Sequence, residues 1–137
     1  MFSGCTSLTT APELPATTLV ANCYDSMFNN CTSLTTAPEL PATTLVDHCY
    51  NSMFYGCTSL TTAPELPAIT LANSCYTFMF YGCSSLNYIK AMFTTIPSTI
   101  YTSNWVKNVA ATGTFVKNST ATWNIPGDFG IPTGWTS

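Results

Sequence analysis

Residues 27–52 read MFNNCTSLTTAPELPATTLVDHCYNS, and this 26-residue stretch decides the fold of the chain. Residues 1–26 read MFSGCTSLTTAPELPATTLVANCYDS and residues 53–78 read MFYGCTSLTTAPELPAITLANSCYTF, so nearly the same text occurs three times in succession. Units that repeat at such a period indicate a stacked array, in which neighbouring units bury each other's apolar faces. The recurring Met, Phe, Leu and Cys positions are expected to point inward, and varied positions such as His48 to face water.

Each unit is predicted to contain a short strand, a bend and a short helix. Residues 5–11 carry Thr around a central Leu, which suits a strand that ends before the bend at residues 12–15, PELP. In residues 18–28 apolar side chains recur at every fourth position, the spacing of an amphipathic helix. The predicted fold class is therefore an α/β solenoid, a right-handed superhelix of 26-residue repeats with short parallel strands and one short helix per repeat.

The order of these motifs resembles a known family. Cys-x-x-Leu-x-x-Ala, then Leu-Pro, then a helix with Met-Phe-x-Gly-Cys is similar to the BspA-like (treponemal-type) leucine-rich repeats of bacterial surface proteins. The resemblance covers about residues 1–90 and departs from the family in the 26-residue period and at Ala11, where the family usually has Ile. It implies a leucine-rich-repeat fold, an extracellular or cell-surface location, and adhesion to host proteins or other cells.

The chain is predicted to have two parts. Residues 1–90 form the leucine-rich repeat array of about 3.5 repeats, and residues 91–137 form a C-terminal cap. Within the cap, residues 102–110 are predicted to form a short helix, residues 113–117 a strand and residues 131–136 an edge segment. Its three Trp side chains are expected to plug the end of the core, with an aromatic platform for sugars as the alternative: Trp105, Trp123 and Trp135.

Composition excludes several classes of function. Only 7% of residues are charged, against about a quarter in typical soluble domains. The three Lys residues follow the third unit, so the array has no basic stripe for nucleic acid. The sequence contains no run of about 18 apolar residues, so no membrane span is predicted. Met1 falls inside a predicted helix and no signal peptide precedes it, so we expect a fragment of a longer protein, or a chain whose N-terminal face is covered by something else.

No residue is predicted to be catalytic, to bind a cofactor or to bind a metal. The seven cysteines include no C-x-x-C pair and accompany a single His, so reduced thiols in the core are favoured over disulfides or a metal site. Asp47, His48 and Cys49 look like a catalytic trio, but adjacent residues of a helix do not face each other. The chain is therefore predicted not to be an enzyme and to need no cofactor.

Two other columns invite functional interpretations. Glu13, Glu39 and Glu65 are spaced by one period and predict a solvated acidic edge, with a weak cation site as the alternative. The Thr pairs, of which Thr9 and Thr10 are the first, resemble ice-binding ladders. Adjacent strand residues point to opposite faces, however, so only one Thr of each pair is expected to reach the surface.

The function predicted first is a non-catalytic, surface-exposed leucine-rich repeat scaffold for binding proteins or cell surfaces. Its partner would be a protein or a glycan on host or neighbouring cells, with no nucleic acid and no membrane span, and the residues that bind it are not assigned. The alternative is a structural subunit of a bacterial or viral fibre or appendage. In that hypothesis copies self-associate through the uncapped N-terminal repeat.

Overall fold

The computed structural model describes all 137 residues and contains little regular secondary structure. It has one 3₁₀-helix, Thr99–Thr102, and two strands, β1 (Tyr88–Ala91) and β2 (Thr114–Lys117). The two strands form one parallel sheet in which Ile89 lies opposite Phe115. Turns, bends and isolated bridges make up the rest of the chain. It has no helix of the length and apolar character needed to cross a membrane.

The predicted leucine-rich-repeat solenoid with a helix in each repeat is wrong. In the first predicted helix, Asn22, Ser26 and Asn30 have φ values of 60°, 55° and 57°, a left-handed conformation that a right-handed helix cannot continue. The amides of Cys23 and Met27 bind carbonyls only three residues back, at 3.2 Å. The segment is thus a series of four-residue turns. Such turns share the i, i+4 spacing of a helix, which is why the apolar pattern was misleading.

The strand predictions have mixed outcomes. Residues 5–11 form no strand and contribute only an isolated bridge between Thr10 and Thr36. The predicted strand at residues 113–117 is confirmed as β2. Residues 131–136 carry isolated bridges at their two ends. The Thr-rich segment stays irregular because few of its amides pair with the neighbouring segment.

The helix predicted at residues 102–110 is also wrong. The 3₁₀-helix ends at Thr102, and turns follow it. Asn104 and Asn108 have positive φ values of 49° and 61°, so the four-residue turn pattern continues into this part of the chain. The prediction rested on helix start and stop signals, Thr102 at one end and Gly113 after the other, and such residues also suit a series of turns.

Residues 26 apart nevertheless lie over one another, and we call each 26-residue segment a layer: residues 1–26, 27–52 and 53–78, with a fourth beginning at Met79. Backbone hydrogen bonds join the layers, because alternate amides donate to the carbonyl 25 residues further along. Between the first two layers these bonds measure 3.2, 3.1 and 2.8 Å: Asn22 to Asp47, Tyr24 to Cys49 and Ser26 to Asn51. The amide of each positive-φ residue, such as Asn22, therefore points towards the neighbouring layer, and the next amide, that of Cys23, closes a turn within its own layer.

Aromatic side chains form two columns through the layers. Rings in the Phe column are nearly parallel, with centroids 5.6, 5.6 and 5.7 Å apart: Phe2, Phe28, Phe54 and Phe80. The Tyr column has two spacings of 6.0 Å: Tyr24, Tyr50 and Tyr76. Both columns reach Trp105, which has no exposed surface. One core thus continues from the layers into the C-terminal part.

The cysteines line this core as thiols. All seven are free, and five of them are buried. The Sγ atoms of Cys57 and Cys83 donate to the carbonyls of Phe28 and Phe54 at 3.1 and 3.0 Å, so each thiol joins two layers. Burial raises the pKa of the Cys57 thiol to about 12 and that of Cys75 to about 12. These thiols remain protonated at physiological pH.

The layered core predicts opposite outcomes for an inward and an outward substitution. Met53 has no exposed surface, so Met53→Asp places an unpaired charge between layers and should cost about 4 kcal/mol or more of unfolding free energy. His48 has φ 56° in the column where Ser74 has φ 52°, so His48→Ser should change the free energy by about 0.5 kcal/mol or less. Urea unfolding measures both variants, and equal midpoints would contradict this packing.

The buried thiols predict a loss of stability in alkali. Unfolded thiols ionise from a pKa of 9.0, whereas burial keeps Cys49 protonated to about 11 and Cys57 to about 12. Because the unfolded chain then binds fewer protons, the thiol contribution to the unfolding free energy is constant below about pH 8.5 and falls above it, by up to about 1.4 kcal/mol per pH unit for each thiol. Urea titrations from pH 7 to 10 measure the slope. Cys57→Ala should reduce it, and a flat profile would contradict thiol burial.

Candidate binding groove

A groove runs across the layers along their Pro-Glu-Leu-Pro segments. One hollow of about 500 Å³ lies between residues 37–41 and 64–67, and a second of about 390 Å³ lies between residues 11–15 and 37–41. The two share Ala37, Pro38 and other residues of the second layer, so they form one groove that crosses three layers. This groove is the candidate site.

Apolar side chains form the floor of the groove. Leu40 lies at its base and is 3% exposed, and the exposed rings of Pro12, Pro15 and Pro41 line it. Prolines lack a backbone N–H, so this strip presents rigid apolar rings and free carbonyls. Such a surface suits an extended polypeptide, whose side chains pack on the rings.

Carboxylates form its rim. Glu13, Glu39 and Glu65 are all exposed, as the predicted acidic edge requires. The Glu65 carboxylate pairs with the Lys90 ammonium group at 3.1 Å, the one salt bridge of the chain. Lys90 lies one period after Pro64, so the fourth layer puts a cation where the earlier layers have proline. Glu13 and Glu39 have no cationic partner.

The residues considered for chemistry do not come together. Cys49 is fully buried and burial raises its pKa to about 11, whereas the Asp47 side chain is exposed. The Nδ1 atom of His48 lies 3.2 Å from the Asn51 amide nitrogen. No three His, Cys, Asp or Glu side chains converge in a way that would hold a metal ion.

The Thr pairs differ from the prediction. Both members of a pair are exposed, for example Thr35 and Thr36, because no regular strand alternates them. The Thr35 hydroxyl donates to the Thr9 carbonyl of the layer below at 3.1 Å. Thr36 and Thr62 line a hollow of about 210 Å³. The surface is concave, so it lacks the flat lattice that an ice-binding ladder would need.

The Trp side chains belong to the core, as the plug hypothesis predicted. Trp105, Trp123 and Trp135 are 0%, 6% and 8% exposed. Their indole N–H groups donate to backbone carbonyls at 3.0, 3.1 and 2.8 Å, so each indole is satisfied inside the chain. None offers a face to a sugar, and the alternative of a Trp platform is wrong.

Sequence reasoning identified the acidic column but missed the groove behind it. The PELP segments, residues 12–15 and their counterparts, were interpreted only as a bend between strand and helix. Two prolines and a glutamate recurring together at one period were the available signal, because they place a rigid apolar strip beside a row of carboxylates. Comparison with protein-family models, with curated proteins and with solved structures finds no match to this chain.

Proposed function

We propose that this chain is a non-catalytic, surface-displayed binding module that attaches to a partner protein through the Pro-Glu groove. The observation that carries the proposal is the combination of exposed proline rings at Pro15 and Pro41 with unpaired carboxylates at Glu13 and Glu39. The cell-surface location rests on the motif resemblance to BspA-like bacterial surface proteins. The low content of charge, 7%, agrees with that setting.

The partner segment that fits this groove is extended and carries lysines. Lys90 supplies an internal example, because its ammonium group already sits on Glu65 at the end of the row. Alternate residues of an extended chain are about 6.8 Å apart, and the layers are about 4.8 Å apart. Flexible lysine stems bridge this difference, so one segment can reach both Glu13 and Glu39.

Exposed ion pairs are weak, and this sets the expected affinity. Each carboxylate contributes about 0.2–1 kcal/mol at moderate salt, and salt screens the contribution. Contacts with the prolines and leucines must supply the rest of the binding free energy. A single groove therefore binds weakly, and display of many copies on one surface raises the overall strength.

The groove predicts charge-dependent peptide binding. Labelled acetyl-Lys-Val-Lys-Val-Lys-amide should bind in low salt, and Glu39→Gln should weaken it about two- to fivefold because one ion pair is lost. Fluorescence anisotropy measures the affinity. Asp47→Asn is the matched control, since it removes one exposed carboxylate outside the groove. Equal binding of the peptide in which Glu replaces each Lys would contradict the proposal.

A second candidate, a structural subunit of a fibre or appendage, is favoured by the edge of the first layer. The carbonyls of Ala21, Cys23 and Asp25 accept no hydrogen bond within the chain, and Met1 is 93% exposed. In the second and third layers the equivalent carbonyls accept hydrogen bonds from the preceding layer, so the first layer has the same acceptors open to another segment.

The assembly hypothesis predicts that mass grows with concentration. Light scattering should then show species larger than 14.8 kDa as protein concentration rises. Adding a proline at the edge, Val20→Pro, should leave the inner layers intact while it disturbs the contact, because Val20 is 69% exposed. A strictly monomeric chain at high concentration would contradict assembly.

A further inference from the structure

Three aromatic side chains lie together outside the core. Tyr55 and Tyr81 stack with their ring centroids 4.8 Å apart and their planes 3° from parallel. Phe78 stands edge-on to both, at 6.5 and 5.8 Å. All three are only partly buried, and they belong to neither the Phe nor the Tyr column of the core. We call them the aromatic patch.

Phe78 occupies a position whose left-handed backbone conformation is unfavourable for a bulky side chain. Its φ is 54°, and the same column has Ser26 at 55°, Ser52 at 52° and Asn104 at 49°. A left-handed φ is uncommon outside Gly and Asn, and for a bulky residue it costs about 1–3 kcal/mol. The fold needs no ring there, because Ser serves in two other layers. The ring of Phe78 is instead specific to this layer, where it packs against the edges of Tyr55 and Tyr81.

The ring of Tyr55 has one face that no other ring covers. Tyr81 covers the first face, and Phe78 lies against the edge. On the other side the same column contains Asn29, whose side chain is much smaller than a ring. A flat ligand that lay on this face would continue the ring stack by one more step, at the spacing of about 4.8 Å that the Tyr pair already has.

Solvent-accessible polar groups lie in the same part of these layers. The side-chain amides of Asn29 and Asn30 make no hydrogen bond within the chain, and neither do the hydroxyls of Tyr55 and Tyr81. The Oδ1 atom of Asn30 lies against Gly56, next to Tyr55 in the chain. No carboxylate occurs in the patch. Uncharged donors and acceptors therefore flank an open aromatic face.

We propose that the aromatic patch binds a neutral sugar ring. The C–H face of a pyranose packs on the open face of Tyr55, and its hydroxyls exchange hydrogen bonds with the amides of Asn29 and Asn30. Phe78 fixes the orientation of the Tyr pair and extends the apolar surface. The site is separate from the Pro-Glu groove and does not depend on it.

Two variants copy residues that the chain itself uses in the same columns. Phe78→Ser introduces the residue of Ser26 and Ser52, and Tyr55→Asn introduces that of Asn29. The intact 137-residue chain is tested on an array of neutral oligosaccharides: cello-, malto-, xylo-, manno- and chito-oligosaccharides. The strongest binder is then titrated calorimetrically. Both variants should weaken binding about tenfold or more, because each removes aromatic contact with the sugar.

Stability measurements separate binding from packing. Relief of the strained φ should leave the thermal midpoint of Phe78→Ser equal to or above that of the parent chain. A lower midpoint with unchanged sugar affinity would assign Phe78 to packing and overturn the proposal. So would an array on which no oligosaccharide binds above background, or a patch that binds protein and no sugar.

A groove variant gives the matched control. Glu39→Gln should leave the affinity for the sugar unchanged, since Glu39 lines the groove and not the patch. Phe78→Ser should conversely leave binding of the lysine peptide unchanged. Loss of sugar binding in Glu39→Gln would contradict two separate sites. If the lysine peptide did not bind while the sugar did, the result would count against the groove and not against the sugar site.

Discussion

Hydrogen bonding between layers is the constraint on which the structure depends. A backbone that forms neither helices nor long strands must still satisfy its buried amides and carbonyls. Here a left-handed residue at every fourth position, such as Asn22 or Ser26, sends alternate amides to the next layer, and the others close turns within their own layer. Because the partner always lies 25 residues along, the register of one layer fixes that of the next. Side-chain columns then follow from the backbone.

This scheme explains the polar residues that tolerate strained positions. Asn and Gly adopt positive φ at low cost, and Ser does so with more difficulty. His48 shows that a positive-φ position accepts a larger polar side chain. Met53, by contrast, has no exposed surface, so a polar side chain there would be buried without a partner. The core therefore depends on near-identity between layers, and the exterior is free to vary.

The sequence predicted which residues stack but not the backbone that stacks them. The period placed the Phe ring of each layer over the next, and the aromatic columns have this spacing. It could not distinguish a helix from four-residue turns, since both return a side chain to one face every four residues, and only the φ values of Asn22 and Asn30 separate them. The acidic rim was legible from Glu39 and its counterparts. The groove needed coordinates, because its floor depends on how neighbouring bends pack.

Lys90 has a meaning beyond its single ion pair. It stands in the fourth layer where the others have proline, and it neutralises the last carboxylate of the row. The row of carboxylates thus ends at Lys90, and each 26-residue layer before this end adds one glutamate to its length. Duplication of one repeat within the gene would add one layer and one glutamate to the row, and Lys90 would still pair with the last carboxylate. Selection could in this way adjust avidity and ligand length by copy number alone, with no new side chain.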